Sequence, residues 1–454
     1  MKGVILAAGK GEKFMPFSYY RPKPMFPVAN RPLLEYTIER LVEEGIKEIG
    51  IVVGHRQGRI KSYFKDGRNF GCRITYINQA DISGTGQALL EARQWVGDDD
   101  IIVIYGDVYF GKEVIKKLKE KIGKSKTGVA AIEDGEGRYG IAVEVKDNFI
   151  INYHWKDPHY KDYPLLSGIY CFKKEIWKYL QFLPDITEET GNGIFPLQEK
   201  ELGSICKVLA EEGKPLIGVK IGKTIDMDLP WQPLEIFECV VKEMEKELKK
   251  KVVEEGAKIE EGAEIEGNIY LGKNSVIKKN VMIKGPVWIG ENTVILEGSQ
   301  ILPYTVIGND CIIGPHCRIW GSIGNKCRIT HCAEFEGIVL DESYLVHYCE
   351  MAGIFGERSE IGAGTMVGTR RFDDRPNQVI INGVKYEAGK FSGVLFGDYS
   401  RTGIGAMLMP GRIIGPSSIV GPGVILMKNL EPFKMVLAKQ EQEEIPWKQN
   451  IYDK

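Results

Sequence analysis

A six-residue period fills the second half of the chain and restricts its fold more than any other feature. Aliphatic residues stand six apart at Ile259, Ile265, Leu271, Ile277, Ile283, Ile289, Ile295, Ile301, Ile307, Ile313 and Ile319. Four positions after most of them comes a small or β-branched residue, as at Ala263, Ser275, Thr293, Ser299 and Thr305. The period slips, resumes at Ile323, Ile329 and Phe335, and returns after an irregular stretch at Phe396, Thr402, Leu408, Ile414, Val420 and Leu426. Within each short strand the period is two, and Gly, Asn and Asp recur at the corners. That pattern describes a hexapeptide solenoid with three flat parallel faces per coil and aliphatic side chains stacked inward in columns.

The register gives Cys311, Cys317 and Cys327 the small-residue slot of successive strands, so they read as packing residues rather than metal ligands. Residues 368–395 break the period, and Arg370-Arg371-Phe372-Asp373-Asp374-Arg375-Pro376 reads as an inserted loop. Nine scattered cysteines fit reduced thiols better than a disulfide framework. Lys plus Arg (60) nearly balances Asp plus Glu (62), which gives no support for nucleic acid or an acidic membrane as partner. No apolar run is long enough to cross a bilayer, and the expected compartment is the cytoplasm.

The first half is organised differently. Apolar runs such as Val4 to Ala8, Ile49 to Val53 and Ile101 to Tyr105 alternate with helical patterns at Leu34 to Leu41 and Ala88 to Val96. This is α/β organisation around a mostly parallel sheet, here expected over residues 1–228. Leu234, Phe237, Val241, Met244 and Leu248 then recur at helical spacing, giving a connecting amphipathic helix within 229–251. The solenoid is assigned to 252–438 and a tail to 439–454.

Directly after the first apolar run comes Ala8-Gly9-Lys10-Gly11-Glu12-Lys13-Phe14. A dinucleotide fingerprint needs a third glycine where Phe14 stands, and a P-loop needs Gly-Lys-Ser/Thr, so both are disfavoured. Glycines that let backbone N–H groups approach a triphosphate, with Lys13 and Lys23 to neutralise it, remain an alternative to an ordinary turn bearing surface lysines.

The motifs Leu6-Ala7-Ala8-Gly9-x-Gly, Arg21-Pro22-Lys23, Gln79 with Gly84-Thr85-Gly86, Tyr105-Gly106-Asp107, Tyr139-Gly140-Ile141 and Ile225-Asp226 arrive in the order of one family. The chain resembles a sugar-1-phosphate nucleotidylyltransferase joined to a left-handed parallel β-helix. That is the arrangement of bifunctional N-acetylglucosamine-1-phosphate uridylyltransferase/glucosamine-1-phosphate acetyltransferase and its archaeal relatives. The resemblance implies a Rossmann-like domain that moves a nucleoside monophosphate from a triphosphate, UTP or dTTP, to a sugar-1-phosphate. It implies that Ala8, Gly9 and Gly11 line nucleotide and phosphates, and that Lys13 and Lys23 meet the triphosphate. It places Gln79, Gly84 and Thr85 at a pyrimidine base, Gly140 and Lys156 at the sugar phosphate, and Mg²⁺ on Asp107 and Asp226, the family spacing preferring Asp226 to its neighbour Asp228. Asp107 also follows a buried run, at the strand end where parallel sheets place ligands.

Two departures stand out. Glu12-Lys13 replaces the usual Thr-Arg and keeps the charge without arginine's fork. His154-Trp155-Lys156 and Leu166-Ser167-Gly168 lack the family's acidic residue and Asn, so the sugar is not carried over. Of the residues the relatives use for acetyl transfer, only His347 has a counterpart, as a candidate base. The β-helix is therefore expected chiefly to form a homo-oligomer, with a trimer favoured. The alternatives are a bifunctional enzyme that also acetylates an amino-sugar phosphate from acetyl-CoA, and a non-catalytic regulatory subunit.

Overall fold

The computed structural model describes residues 1–446 except 82, 137, 139, 191 and 192, and only the backbone over 186–198. Tyr139 of the expected Tyr-Gly-Ile motif and the last residues of the expected tail, 447–454, lie outside the described residues.

The first half is built on a nine-stranded sheet. Its strands run in the order Arg73–Asn78, Glu48–Val53, Lys2–Ala7, Ile101–Tyr105, Leu165–Phe172, Gly128–Glu133, Ile217–Lys220, Phe149–Trp155 and Ile141–Lys146. The first four are mutually parallel, and Lys2–Ala7 pairs with Glu48–Val53 on one side and Ile101–Tyr105 on the other. Beyond them the sheet is mixed, since Leu165–Phe172 runs antiparallel to both neighbours. Separate apolar clusters cover the two faces of the sheet. One centres on Ile5, Ile51, Ile102 and Ile104, the other on Val4, Val52, Val103 and Tyr170. Burial on both faces is why the central strands read as continuous apolar runs.

From Val252 to Val436 the chain winds as a parallel β-helix whose columns of Ile, Leu, Val and Phe form one core. Cys311, Cys317 and Cys327 lie in that core, and every cysteine is free. Early and final coils take eighteen residues, so that Thr293 stacks on Ser275 and Ser418 on Ser400, whereas the middle coils take sixteen, as between Asn325 and Asp341. The strands Arg318–Ile323, Glu334–Val339 and Glu350–Phe355 run straight through one corner, which shortens the coil and accounts for the slip in the period. Gly321, Gly337 and Gly353 stack there with φ of 115°, 139° and 125°, and a Cβ on Gly337 would run into the carbonyl oxygen of Gly353. Only glycine fits such a column.

The insertion is a hairpin, Gln378–Ile381 with Val384–Glu387, turned at Asn382-Gly383 where both φ are positive. It folds back so that Tyr386 and Phe391 lie 6.4 and 6.3 Å from the ring of Trp231. Trp231 precedes the connecting helix Gln232–Glu247, which buries Ile236, Phe237, Val240 and Val241. These side chains share one apolar cluster with Phe14, Phe17 and Phe26 of the first half and with Val306, Ile338, Ile354 and Leu395 of the β-helix. The glycine-turn segment after the first strand is thus packed directly against the β-helix.

Candidate active site

The carboxyl ends of the four parallel strands lie side by side and deliver Ala8-Gly9, Gly54, Gln79 and Gly106-Asp107 to one edge of the sheet. The chain steps outward from the first strand to one side and then returns to its other side. Ala8 and Asp107 therefore flank the point where strand order reverses, the position at which such sheets bind ligands. No heavy atom lies within 4 Å of where a Cβ on Gly9 would point, so that face of the turn is open. Gly11 differs: its φ is +67°, and a Cβ would come within 2.8 Å of Cγ of Lys23. Glycine at 11 lets the Lys23 stem pass beneath the turn.

Lys23 is nearly buried, 9 % exposed, and its Nζ lies 2.6 Å from Asp107 Oδ2 and 2.9 Å from Asp228 Oδ1. Burial opposes its charge, but Asp107, Asp228 and Asp226 outweigh burial and hold the ammonium firmly protonated. Asp226 ends the short strand Ile225–Asp226, which pairs with Val108–Tyr109, Asp228 follows two residues on, and carboxylate oxygens of Asp107, Asp226 and Asp228 lie within 4.8 Å of one another. Asp226 is exposed to the cleft, yet protein surrounds it on the other sides. Burial, then the charge of Asp107, pushes its carboxyl up to about 8, with Lys23 pulling the other way. Burial acts upward on Asp228 too, but Lys23 prevails and holds it below the usual carboxylate range. Lys13 and Lys156 add positive charge near Asp228. Three oxygen donors around one point suit a hard divalent cation, which takes carboxylates and phosphate oxygens together.

A cavity of ≈ 430 Å³ opens beside this cluster, lined by Tyr105, Gly140, Lys156, Asp226 and Asp228 among others. Lys156 sits with Nζ 4.8 Å from the Trp155 ring, and its backbone N–H donates to the carbonyl of Gly140 at 3.1 Å. The lining residues missed by sequence reasoning include Glu133, Arg138 and Glu201. Glu133 takes an ion pair from Arg138 at 3.0 Å and a backbone N–H from Thr224 at 2.7 Å. Glu201 accepts from the Tyr105 hydroxyl, and burial raises its pKa. They come from strands and loops far apart in sequence, and none carries a local motif. The one legible signal was Asp228, two residues past Asp226.

Gln79 is 3 % exposed and donates to the carbonyl of Gly84 at 3.4 Å. Gly84 itself has φ +98° and lies flat against the backbone of Lys200. The Thr85 hydroxyl accepts from Leu202 N–H at 2.8 Å and its oxygen lies 3.2 Å from the Tyr105 hydroxyl oxygen. These three residues therefore form a braced loop that is tied to the cavity through Tyr105. His154 turns away from the site, hydrogen-bonded to Glu144 at 2.7 Å and stacked on Tyr160. His347 stands exposed at a coil corner of the β-helix, its ring centroid 5.6 Å from that of His331.

The nucleotidyl transferase family model matches residues 2–218, and a bacterial transferase hexapeptide model of six repeats matches 286–321. Fold and site thus define a nucleotidyltransferase mounted on a hexapeptide β-helix. The chain is 34 % identical to the bifunctional protein GlmU of Methanocaldococcus jannaschii over 443 residues, covering 97 % of this chain and 98 % of that protein. It is 27 % identical to the bifunctional sugar-1-phosphate nucleotidylyltransferase/acetyltransferase of Sulfurisphaera tokodaii, over 95 % of this chain and 98 % of that protein. Against the low-salt glycan biosynthesis nucleotidyltransferase Agl11 of Haloferax volcanii it is 32 % identical over 256 residues, 55 % of this chain and 68 % of that protein. The chain belongs to the family of bifunctional GlmU proteins.

Proposed function

We propose that this chain transfers a nucleoside monophosphate from UTP or dTTP to a sugar-1-phosphate and releases pyrophosphate. The observation that carries this reading is the meeting of Lys23, Asp107, Asp226 and Asp228 beside a sugar-sized cavity at the ends of the parallel strands. A phosphate oxygen of the sugar-1-phosphate attacks the α-phosphorus. The bond from that phosphorus to its bridging oxygen breaks, and the electron pair leaves with pyrophosphate. Positioning and charge neutralisation dominate such a transfer.

Gly9 and Gly11 let the phosphates approach the backbone, and Ala8 lies against the nucleoside. Lys13 meets the β- and γ-phosphates, while Lys23, held by two carboxylates, points its charge at the α-phosphate. Gln79, Gly84 and Thr85 form the wall that reads a pyrimidine. Gly140 gives the sugar room, Lys156 and Arg138 neutralise its phosphate, and Glu133 and Glu201 accept its hydroxyls. Asp107 and Asp226, with Asp228 beside them, would hold Mg²⁺, which when bound neutralises developing charge on phosphate oxygens. The division into a catalytic unit at 1–228, a connecting helix at 229–251, a β-helix at 252–438 and a tail, assembly as a trimer through the β-helix, and a cytoplasmic location all belong to the same reading. Among the described residues no helix is long and apolar enough to cross a membrane.

The test is pyrophosphate release with Mg²⁺, each common nucleoside triphosphate and a panel of sugar-1-phosphates. Silence with every combination refutes the reading. A second reading adds acetyl transfer to an amino-sugar phosphate from acetyl-CoA with His347 as base. The exposed His347 beside His331, and the bifunctional names of relatives that span 97 % and 95 % of the chain, favour it. Acetyl-CoA turnover that His347→Ala leaves unchanged would remove it. Nothing in the site favours the regulatory-subunit alternative.

A further inference from the structure

Two residues before Lys23, and joined to it only through Pro22, stands the largest fully buried side chain among the described residues: Arg21, 2 % exposed. Its guanidinium turns away from the catalytic cleft and into the β-helix. Nη2 lies 2.9 Å from Oδ1 of Asp398 and 3.1 Å from Oε2 of Glu357, partners 377 and 336 positions further along the chain. Asp398 is itself fully buried, and its Oδ1 also accepts the backbone N–H of Glu357 at 2.7 Å. The coil's own backbone therefore fixes the carboxylate that fixes Arg21. Glu357 holds in addition Arg59 of the helix Gln57–Phe64, at 3.0 Å.

We propose that Arg21 is a positioning residue for nucleotidyl transfer, and that the β-helix, through Asp398 and Glu357, sets where Lys23 stands in the active site. This rests on the role given to Lys23 above and adds to it a part of the reaction machinery supplied by the β-helix. The linkage is short and stiff. Pro22 has φ −69° fixed by its ring and caps the 3-10 turn Lys23–Met25, so a displacement of Arg21 is passed on to the root of Lys23 with little slack. Neighbouring side chains hold the same segment to the same part of the β-helix. The Tyr20 hydroxyl lies 3.0 Å from Ser417 Oγ, Tyr20 packs edge-on against Tyr399, and Tyr19 against Phe433. A buried cation is costly unless it is paired and hydrogen-bonded, so this arginine is committed to one placement, and the loop with it.

The rival is a clamp that joins two units and leaves the chemistry alone. The two part in kinetics. In the full-length protein, Asp398→Asn, Arg21→Met and Arg21→Lys are compared with wild type for kcat, for KM of the nucleoside triphosphate and for thermal midpoint. Pyrophosphate release is read well below the lowest midpoint. A misplaced Lys23 costs transition-state stabilisation, so we expect kcat to fall about tenfold to a hundredfold in Asp398→Asn and Arg21→Met, with KM changed less than about threefold. Arg21→Lys, which keeps a charge between the two carboxylates, recovers part of the rate. Folded Asp398→Asn and Arg21→Met proteins that keep the wild-type kcat, whatever their midpoints, overturn the proposal and leave a clamp. If Arg21→Met does not fold, Asp398→Asn and Glu357→Gln decide, since each leaves the guanidinium one carboxylate. A wild-type protein inactive with every nucleotide would instead fail the proposed function.

Discussion

Two glycines in one turn are expected to respond in opposite ways to the same added methyl group. At Gly11 an alanine meets two costs. Its backbone has φ +67°, a left-handed conformation that costs an L-residue about 1 kcal/mol. Its Cβ also falls 2.8 Å from Cγ of Lys23, near the root of a side chain whose far end is tied to Asp107 and Asp228. The stem cannot swing aside without breaking one of those contacts, and such overpacking costs about 1–3 kcal/mol. Together these give about 2–4 kcal/mol, or a fall of roughly 5–10 °C in the midpoint of a unit this size. At Gly9 no positive φ is required and nothing lies within 4 Å. Gly9→Ala should leave the midpoint within about 1 °C, because open surface substitutions rarely exceed about 0.5 kcal/mol. Its methyl group would occupy the space assigned to the triphosphate, so KM for the nucleotide should rise about tenfold or more. Differential scanning calorimetry and steady-state pyrophosphate release separate the two. A Gly11→Ala protein with wild-type midpoint and rate, or a Gly9→Ala protein that loses stability but binds nucleotide normally, would refute the reasoning.

Asp226→Asn removes a carboxyl whose ionisation burial and Asp107 already oppose. We expect an unchanged or higher thermal midpoint together with a loss of kcat of about a hundredfold or more, measured at saturating Mg²⁺. Glu357 titrates below its ordinary value: burial acts against this, but Arg21 and Arg59 prevail. It therefore stabilises the fold above its unfolded pKa of about 4.3, and that contribution disappears as pH falls through the lower folded value. The midpoint of Glu357→Gln should lie below wild type at pH 7 and converge on it as the pH drops below about 4; a constant gap would refute the assignment. In the β-helix, Gly337→Ala would force a Cβ onto the Gly353 carbonyl at φ +139°. A loss of about 4 kcal/mol or more is expected by chemical denaturation, against little change for Gly383→Ala, whose Cβ meets open space in the exposed hairpin turn apart from strain of about 1 kcal/mol.

How much could be read in advance depended on how far apart the cooperating residues are. The inserted hairpin had a local signal, Asn382-Gly383 between alternating apolar residues, and was still read as an irregular loop because the interrupted six-residue period masked it. Gly321, Gly337 and Gly353 produced the slip in that period, but their stacking needed the coil register to be seen. Asp107 was legible at the end of a buried run. Glu133 and Glu201 were not, because each belongs to a different segment and acquires meaning only where the segments meet.

By itself the sequence determined that the second half winds as a β-helix and that an α/β sheet precedes it. Both patterns are local: a hexapeptide writes its inward column into every coil, and a strand buried on both faces writes a continuous apolar run. The same locality exposed the glycine turn and the lysines beside it. Only the tertiary structure decided that Lys23 would stand between two carboxylates, and that Arg21 would be buried against Asp398 rather than left facing solvent. No spacing in the chain encodes those encounters. They follow from how a loop after the first strand is pressed between a sheet edge and a coil corner, where a buried charge persists only if the opposite charge is already fixed in place.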